Sequence, residues 1–215
     1  MSFDILAPHY HSMERILAQG KLQRCRLHGL EAALEAERLL LVGEGHGRFL
    51  ELLGRREYRG SITCVDASSG MLEVAKRKAG LFGLAEGQVD FVHADVLEWE
   101  PVEGSFDFVA THFFLDCFNE AELGRVVGKL GQALETGGLW HLADFSCPEK
   151  GWRRLRAQVI LEVMYVFFRL VTGLSATKLV NPDLLLEESG FTKVSSIELE
   201  WGLLGSQVWR KQWTG

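Results

Sequence analysis

The sequence predicts an α/β fold built on a doubly wound sheet of seven strands, mostly parallel, that ends in an antiparallel hairpin. Three observations carry this expectation. Strand-like and helix-like segments alternate over the first 145 residues, the pattern of a parallel sheet with crossover helices. Leu39-Leu40-Leu41-Val42 runs straight into Gly43-Glu44-Gly45-His46-Gly47, as a buried strand, a tight turn and a helix start do. The last two strand-like segments lie too close together for a parallel crossover, so they pair antiparallel. The 215 residues fit a single domain, with 1–38 as a helical leader or cap and 39–215 as the core.

Taken in order, residues 12–38 read as helix in two pieces broken near Gly20. Ser12 caps the first piece, and Leu27, Leu30, Leu34 and Leu39 mark an apolar face on the second. Pro8-His9-Tyr10-His11 lies ahead of them. After the strand at 39–42 and the glycine turn, a short helix covers about 47–55, and a second buried strand at 61–65 ends at Asp66. Ser68 or Ser69 caps the next helix, whose Met71, Leu72, Val74 and Ala75 face inward. Residues 89–92 form a third strand ending at His93-Ala94-Asp95, and 106–110 a fourth that runs into Thr111-His112-Phe113-Phe114-Leu115-Asp116. Asn119 and Glu122 have capping-box spacing ahead of the helical repeat Leu123, Val126, Val127, Leu130, Leu134. Gly137-Gly138 is expected to end that helix before a fifth strand at 139–145. A long helix over roughly 150–172 follows, then a short one with Asn181 as cap, Pro182 at its first position and Gly190 at its end. Segments 191–200 and 206–212 alternate as two strands around a Gly202–Gly205 turn.

A net charge of −6 argues against binding to a phosphate backbone. The short basic clusters, such as Lys76-Arg77-Lys78, read as solvated helix faces. Cys25, Cys64, Cys117 and Cys147 show no C-x-x-C spacing, which points to a reducing compartment and no structural zinc. No basic-then-apolar segment marks a signal peptide at the start, and the most apolar helix, Val159 to Leu174, contains Glu162 and Arg169 and is too short to span a bilayer. A cytoplasmic protein is expected.

The glycine turn could serve two kinds of cofactor. A dinucleotide site needs G-x-G-x-x-G/A, and the third small position falls on Arg48. Gly47 instead makes the spacing G-x-G-x-G. A nicotinamide-dependent oxidoreductase stays open on the glycine loop and Asp66 alone.

The turn after the first strand resembles motif I of the class I S-adenosylmethionine-dependent methyltransferases, and later features fall where that family places them. Asp66, nineteen residues after Gly47, ends the second strand, where the family's acid holds both ribose hydroxyls. Val65-Asp66-Ala67-Ser68-Ser69-Gly70-Met71 looks like the family's segment there, with Met71 expected near the adenine. Ala94-Asp95-Val96 resembles the step whose carboxylate accepts the adenine amino hydrogen. Thr111-His112 stands at the fourth-strand exit, beside the methionine part of the cofactor. The resemblance covers residues 39–145 and implies a Rossmann-like fold. It also implies S-adenosyl-L-methionine as cofactor, S-adenosylhomocysteine as product, and Gly43, Glu44, Gly45, His46, Gly47, Asp66, Ala67, Met71, Asp95, Val96, Thr111 and His112 as its binding residues. The family commonly carries an acid two residues before the first glycine. Leu41 stands there, so Glu44 or the backbone carbonyls must organise the turn, and a protein that binds the cofactor without catalysis is a second reading.

Methyl transfer from a sulfonium needs an aligned nucleophile and exclusion of water, with a general base only when the acceptor is protonated. Thr111, His112, Asp116, His141 and Asp144 lie at or near the ends of strands four and five. His112 is the first candidate for base or acceptor orienter, Asp144 and Tyr10 follow, and His141 reads as structural. Tyr10 and His11 lie in a leader that closes over the cofactor in many relatives. The aromatic long helix, with Trp152, Met164, Tyr165, Phe167 and Phe168, is either core or the wall of an apolar acceptor pocket, or a surface for a lipid-like substrate. Leader and element order also look similar to methyltransferases of the ubiquinone and menaquinone pathway, which implies a small, quinol-like acceptor methylated on oxygen, carbon or nitrogen. Thr111 to Asp116 lacks the Pro-Pro-aromatic signature of amino-directed DNA methyltransferases, so no nucleic-acid target is expected. No metal is called for.

Overall fold

The computed structural model describes residues 20–172, 176 and 178–213; Tyr10, His11 and the first piece of the leader lie outside them. Strands β1 (Arg38–Val42), β2 (Ser61–Asp66), β3 (Val89–His93), β4 (Phe106–His112), β5 (Leu134–Phe145), β6 (Phe191–Leu199) and β7 (Leu204–Lys211) form one sheet. Their order is β3-β2-β1-β4-β5-β7-β6. β7 slots between β5 and β6 and runs antiparallel to both, while the other adjacent pairs are parallel. The strand order reverses between β1 and β4, and in open sheets of this kind ligands bind beyond the strand ends at that crevice.

Period-two alternation sends the side chains of β1 to both faces. Leu39 and Leu41 join Phe49, Leu53, Cys64 and Phe108 beneath helices α2 (Leu30–Leu34), α3 (Arg48–Arg55) and α4 (Ser69–Leu81), while Leu22 and Cys25 of α1 (Lys21–His28) pack on Phe113, Ala143 and Leu204. Leu40 and Val42 join Val109, Leu123, Val127 and Trp140 beneath α5 (Glu120–Ala133). α6 (Gly151–Thr172) and α7 (Asp183–Glu188) complete the described helices. Each fully buried aliphatic side chain contributes roughly 1.5–3 kcal/mol. β1 is therefore anchored on both faces and delivers its C-terminal turn to a fixed place.

The helix starts follow the sequence signals. The Ser68 hydroxyl accepts from the Met71 N–H at 3.1 Å, and Asn119 and Glu122 form the reciprocal capping box. Asn181 Oδ1 accepts from the Asp183 N–H at 3.0 Å, with Pro182 already helical at φ −76°.

Two expectations need correction. β5 begins at Leu134, so Gly137-Gly138 lies inside the strand and does not end a helix. Leu134 is already extended and pairs with Phe106, and the register then shifts so that Phe108 meets Leu139. Gly137, at φ +84°, bends the strand, and a Cβ on Gly138 would sit 3.0 Å from the Asp107 carbonyl. In the leader, Leu27 is 46 % exposed while Leu22, Cys25, Arg26, Leu30 and Ala33 are buried. The helix breaks at Gly29, where a Cβ would lie 2.2 Å from the His141 ring. The break resets the phase of the leader and brings it down onto β5.

Candidate active site

The turn after β1 is held by three glycines at φ +65°, +60° and +75°, Gly43, Gly45 and Gly47. Side chains other than glycine rarely enter that region, and each glycine has its own steric reason. A Cβ on Gly43 would lie 2.0 Å from Phe114 Cδ2, and one on Gly47 would lie 3.0 Å from Ala75 Cα in α4. At Gly45 it would meet nothing within 4 Å. Gly43 and Gly47 therefore serve packing, while Gly45 leaves the main chain bare toward an open chamber. Arg48, where a dinucleotide site wants a small residue, is half-buried, its Nε donating to His46 Nε2 at 3.0 Å.

The carboxylate of Glu44 folds back to accept the Phe49 N–H at the start of α3, a helix end that Gly47 cannot cap with a side chain. Burial pushes the Glu44 pKa up, and the Arg26 guanidinium opposes that shift. Leu41 is fully buried in the apolar cluster under α2–α4. Glu44 is thus the acid that organises the turn.

At the end of β2, Asp66 Oδ2 accepts from the Gly45 N–H and Oδ1 from the Ser68 N–H, both at 2.9 Å. Burial raises its pKa and these two donors oppose the rise. Two of about four acceptor positions on the carboxylate remain for a ligand. Asp95 Oδ1 accepts from the Leu97 N–H at 2.9 Å, closing the turn that places Val96 against the chamber.

The chamber opens to solvent and is lined from Gly43–His46, Asp66, Ala67, Met71, Asp95 and Val96 at one end to Phe113, Asp116, Phe145, Met164, Tyr165 and Phe168 at the other. Phe113 adopts φ +55°, an uncommon conformation for an aromatic residue. Its N–H donates to the Ala143 carbonyl at 2.7 Å, its ring meets Phe145 edge-on at 5.7 Å, and Arg26 stacks over it at 5.0 Å.

A family model described as a methyltransferase domain matches residues 39–138. A demethylmenaquinone methyltransferase of Thermus thermophilus is 32% identical over 151 residues, covering 69% of this chain and 66% of the relative. One of Thermotoga maritima is 30% identical over 207 residues, covering 88% of this chain and 86% of the relative. The chain belongs to the class I S-adenosylmethionine-dependent methyltransferases. A solved 1,6-didemethyltoxoflavin-N1-methyltransferase of Burkholderia thailandensis shares the methyltransferase fold at a TM-score of 0.64 and 19% identity, covering 97% of this chain and 88% of that one. Family membership sets aside the nicotinamide reading of the glycine loop.

Several residues expected from the methyltransferase resemblance meet in the chamber: Gly43, Glu44, Gly45, His46, Asp66, Ala67, Met71, Asp95, Val96 and His112. Gly47 and Thr111 lie outside its lining. Thr111 is fully buried and its Oγ1 accepts from Trp140 Nε1–H at 2.9 Å, so its hydroxyl is taken up in the core. The fit to S-adenosylmethionine rests on charge and shape. The bare face of Gly45 admits a ligand against the backbone, and buried Arg26 and Glu44 complement a zwitterionic amino-acid tail.

His112 stands in a hydrogen-bonded chain. Its Nε2 meets His141 Nδ1 at 2.9 Å, His141 Nε2 meets Ser206 Oγ at 2.9 Å, and Ser206 donates to the Cys25 carbonyl at 2.9 Å. Because the Ser206 proton points to that carbonyl, His141 carries its hydrogen on Nε2, and His112 must donate from its own Nε2. Nδ1 of His112 is left with a lone pair 3.8 Å from Glu44 Oε2 and without a hydrogen-bond partner among the described residues. Burial holds the pKa of both rings well below the usual histidine range.

At the aromatic end, Asp116 follows β4 in a 3₁₀ turn (Leu115–Cys117), and Asp144 lies near the end of β5. Asp144 Oδ2 accepts from the Asp116 N–H at 3.1 Å and Oδ1 from the Phe145 N–H at 2.8 Å, which sets the two acids side by side. Burial raises both. Asp116 reaches about 6, and Asp144 goes well above the carboxylic range, with the Asp116 charge adding to the effect of burial. The pair as a whole therefore holds a proton more tightly than an exposed carboxyl group does, and of the two acids Asp116 lines the chamber. Tyr165 of α6 donates its hydroxyl hydrogen to the Asp116 carbonyl at 3.1 Å, fixing this turn beneath the helix.

Proposed function

We propose that this methyltransferase alkylates a small apolar acceptor carrying an acidic hydrogen, of the quinol kind, and that Asp116 takes up that hydrogen. The observation that carries the reading is a buried carboxyl pair set into an aromatic wall. Phe113, Phe145, Met164 and Phe168 suit a planar apolar molecule, and a carboxylate among them has use only if the acceptor must lose a proton. Relatives named for demethylmenaquinone support an acceptor of this class.

S-Adenosylmethionine, when bound, supplies a methyl group on a positively charged sulfur. Around it, Arg26 would meet the carboxylate of the amino-acid tail, while Glu44 and the bare Nδ1 of His112 would accept from its ammonium. The open acceptor positions of Asp66 would take the ribose hydroxyls, with Asp95, Val96 and Met71 around the adenine. His112 in this reading orients the cofactor tail, and Asp116 holds the acceptor's proton.

The test uses S-adenosylmethionine labelled in its methyl group and a soluble 1,4-naphthohydroquinone. The protein should transfer label to it. D116N should lower kcat roughly a hundredfold, the usual size of a general-base contribution, without weakening S-adenosylhomocysteine binding. Label carried only to polar amines, or an unchanged kcat in D116N, would refute the reading.

A further inference from the structure

The outer face of α6 carries large apolar side chains that no described residue covers. Trp152, Leu155, Val159, Val163, Val166 and Phe167 are 62, 66, 54, 67, 57 and 39 % exposed. Their spacing of three, four, four, three and one keeps them on one stripe of the helix. Patches of this kind on a soluble surface mark a place of interaction.

Two further observations say what covers it. The stripe is bordered by cations: Arg153 and Arg169 stand at its two edges and Arg156 within it, against the single acid Glu162, in a chain whose net charge is −6. Beside its N-terminal end the strand connection turns through Glu200 and Trp201, at φ +53° and +56°. Those two strained residues present the Trp201 indole 55 % exposed, 6.2 Å from the Trp152 ring and with Arg156 stacked over it at 4.8 Å. Backbone held in the left-handed region without glycine costs free energy and persists where it serves a site. Indoles flanked by arginines are the side chains that settle at the boundary between water and acyl chains.

We infer that the outer stripe of α6, with Trp152, Trp201 and the surrounding arginines, docks the protein on an anionic lipid surface. The helix lies on that surface and does not cross it, since no described helix is long and apolar enough to span a bilayer. A second copy of the chain fits the stripe less well, because self-pairing would set like cations against one another, whereas anionic headgroups complement them. The buried side of the same helix supplies Met164, Tyr165 and Phe168 to the chamber, so docking would bring the acceptor end of the site close to dissolved apolar molecules. The surface itself stands independently of the acceptor reading.

The experiment is sedimentation of the full chain with vesicles of phosphatidylcholine alone or mixed equally with phosphatidylglycerol, at low and high salt, with tryptophan emission as a second readout. Mixed vesicles should bind with a blue shift in emission, and high salt should release the protein. The double variant R153E/R169E should weaken binding roughly 25-fold or more, at about fivefold for each arginine near the surface. W152E/V163E, both at exposed positions, should abolish binding while keeping the melting temperature and the transfer of label to the soluble hydroquinone. No binding to mixed vesicles, or binding indifferent to these variants, would overturn the inference. So would self-association that W152E/V163E abolishes, which would assign the stripe to a second copy. Loss of docking with turnover intact refutes only this inference, and absence of turnover with docking intact refutes only the acceptor reading.

Discussion

Arg26 offers the sharpest test of how the cofactor's tail is held. The side chain is only 5 % exposed, stacks on Phe113 at 5.0 Å and is the opposing charge at the buried Glu44 carboxyl. A hydrogen bond from a charged donor to a carboxylate contributes about 1.5–3 kcal/mol, which corresponds to roughly a 10–150-fold change in Kd. R26M keeps length and apolar bulk while removing the charge, and R26K keeps a charge without the planar fork. Calorimetric titration should be run with S-adenosylhomocysteine and with 5′-methylthioadenosine, which shares the nucleoside and thioether but lacks the amino-acid end. R26M should lose affinity for the first by that factor and hold the second within about twofold, with R26K in between. An equal loss for both ligands would mean that Arg26 supports the fold of the pocket and not the tail, and no loss for either would remove it from the site.

Two further predictions concern stability. In Asp116 the folded carboxyl titrates near 6 against an ordinary value of 3.8, raised first by burial, so between those values the folded protein keeps a proton that the unfolded chain has released. The contribution of this group is therefore full at low pH and lost as pH rises through 6. D116N should melt higher than the parent at pH 7.5, by an amount approaching about 3 kcal/mol, and lose that advantage below about pH 4; a D116N difference that does not change with pH would refute the assignment. Gly43→Ala should destabilise the protein by about 2 kcal/mol or more, from left-handed strain and displacement of Phe114. Gly45→Ala, with open space around it, should cost only the strain yet lower S-adenosylhomocysteine affinity, as thermal melts with and without ligand would show; equal destabilisation by the two changes would contradict the separate roles of the glycines.

What the sequence made legible is the part of the site carried by backbone conformation and strand ends. Glycines spaced two apart after an aliphatic run have few other uses, and acids at the ends of β2 and β3 stand in register because adjacent parallel strands place successive exits side by side. The capping box of α5 was equally readable, being a local bond between neighbours in sequence. The rest depends on long-range placement. Arg26 sits in the buried stripe of α1, but the break at Gly29 shifts the helical phase, so an apolar face drawn through Leu27 and Leu30 turns this arginine away from the core. An arginine in the 22, 25, 26, 29, 30, 33 spacing was the available signal. Asp116 and Asp144 lie 28 residues apart, and only the pairing of β4 with β5 brings their carboxyl groups together. The left-handed backbone of Phe113 and the strand bend at Gly137 arise from tertiary contacts that no local pattern encodes.

The bond from Ser206 to the Cys25 carbonyl spans 181 positions of the chain, and its consequence is one of timing. Closing so long a loop is among the slowest and most entropically costly steps in folding. Ser206 reaches its place only after β7 has inserted between β5 and β6, and α1, which carries Arg26, makes more contacts with β7 than with any other element. A nascent chain that has emerged through β5 therefore has the Phe113 and Ala143 side of the seat for the helix that bears Arg26, but lacks its Leu204 and Ser206 side. Arg26, the residue proposed to meet the charged tail, is thus among the last parts of the site to be seated.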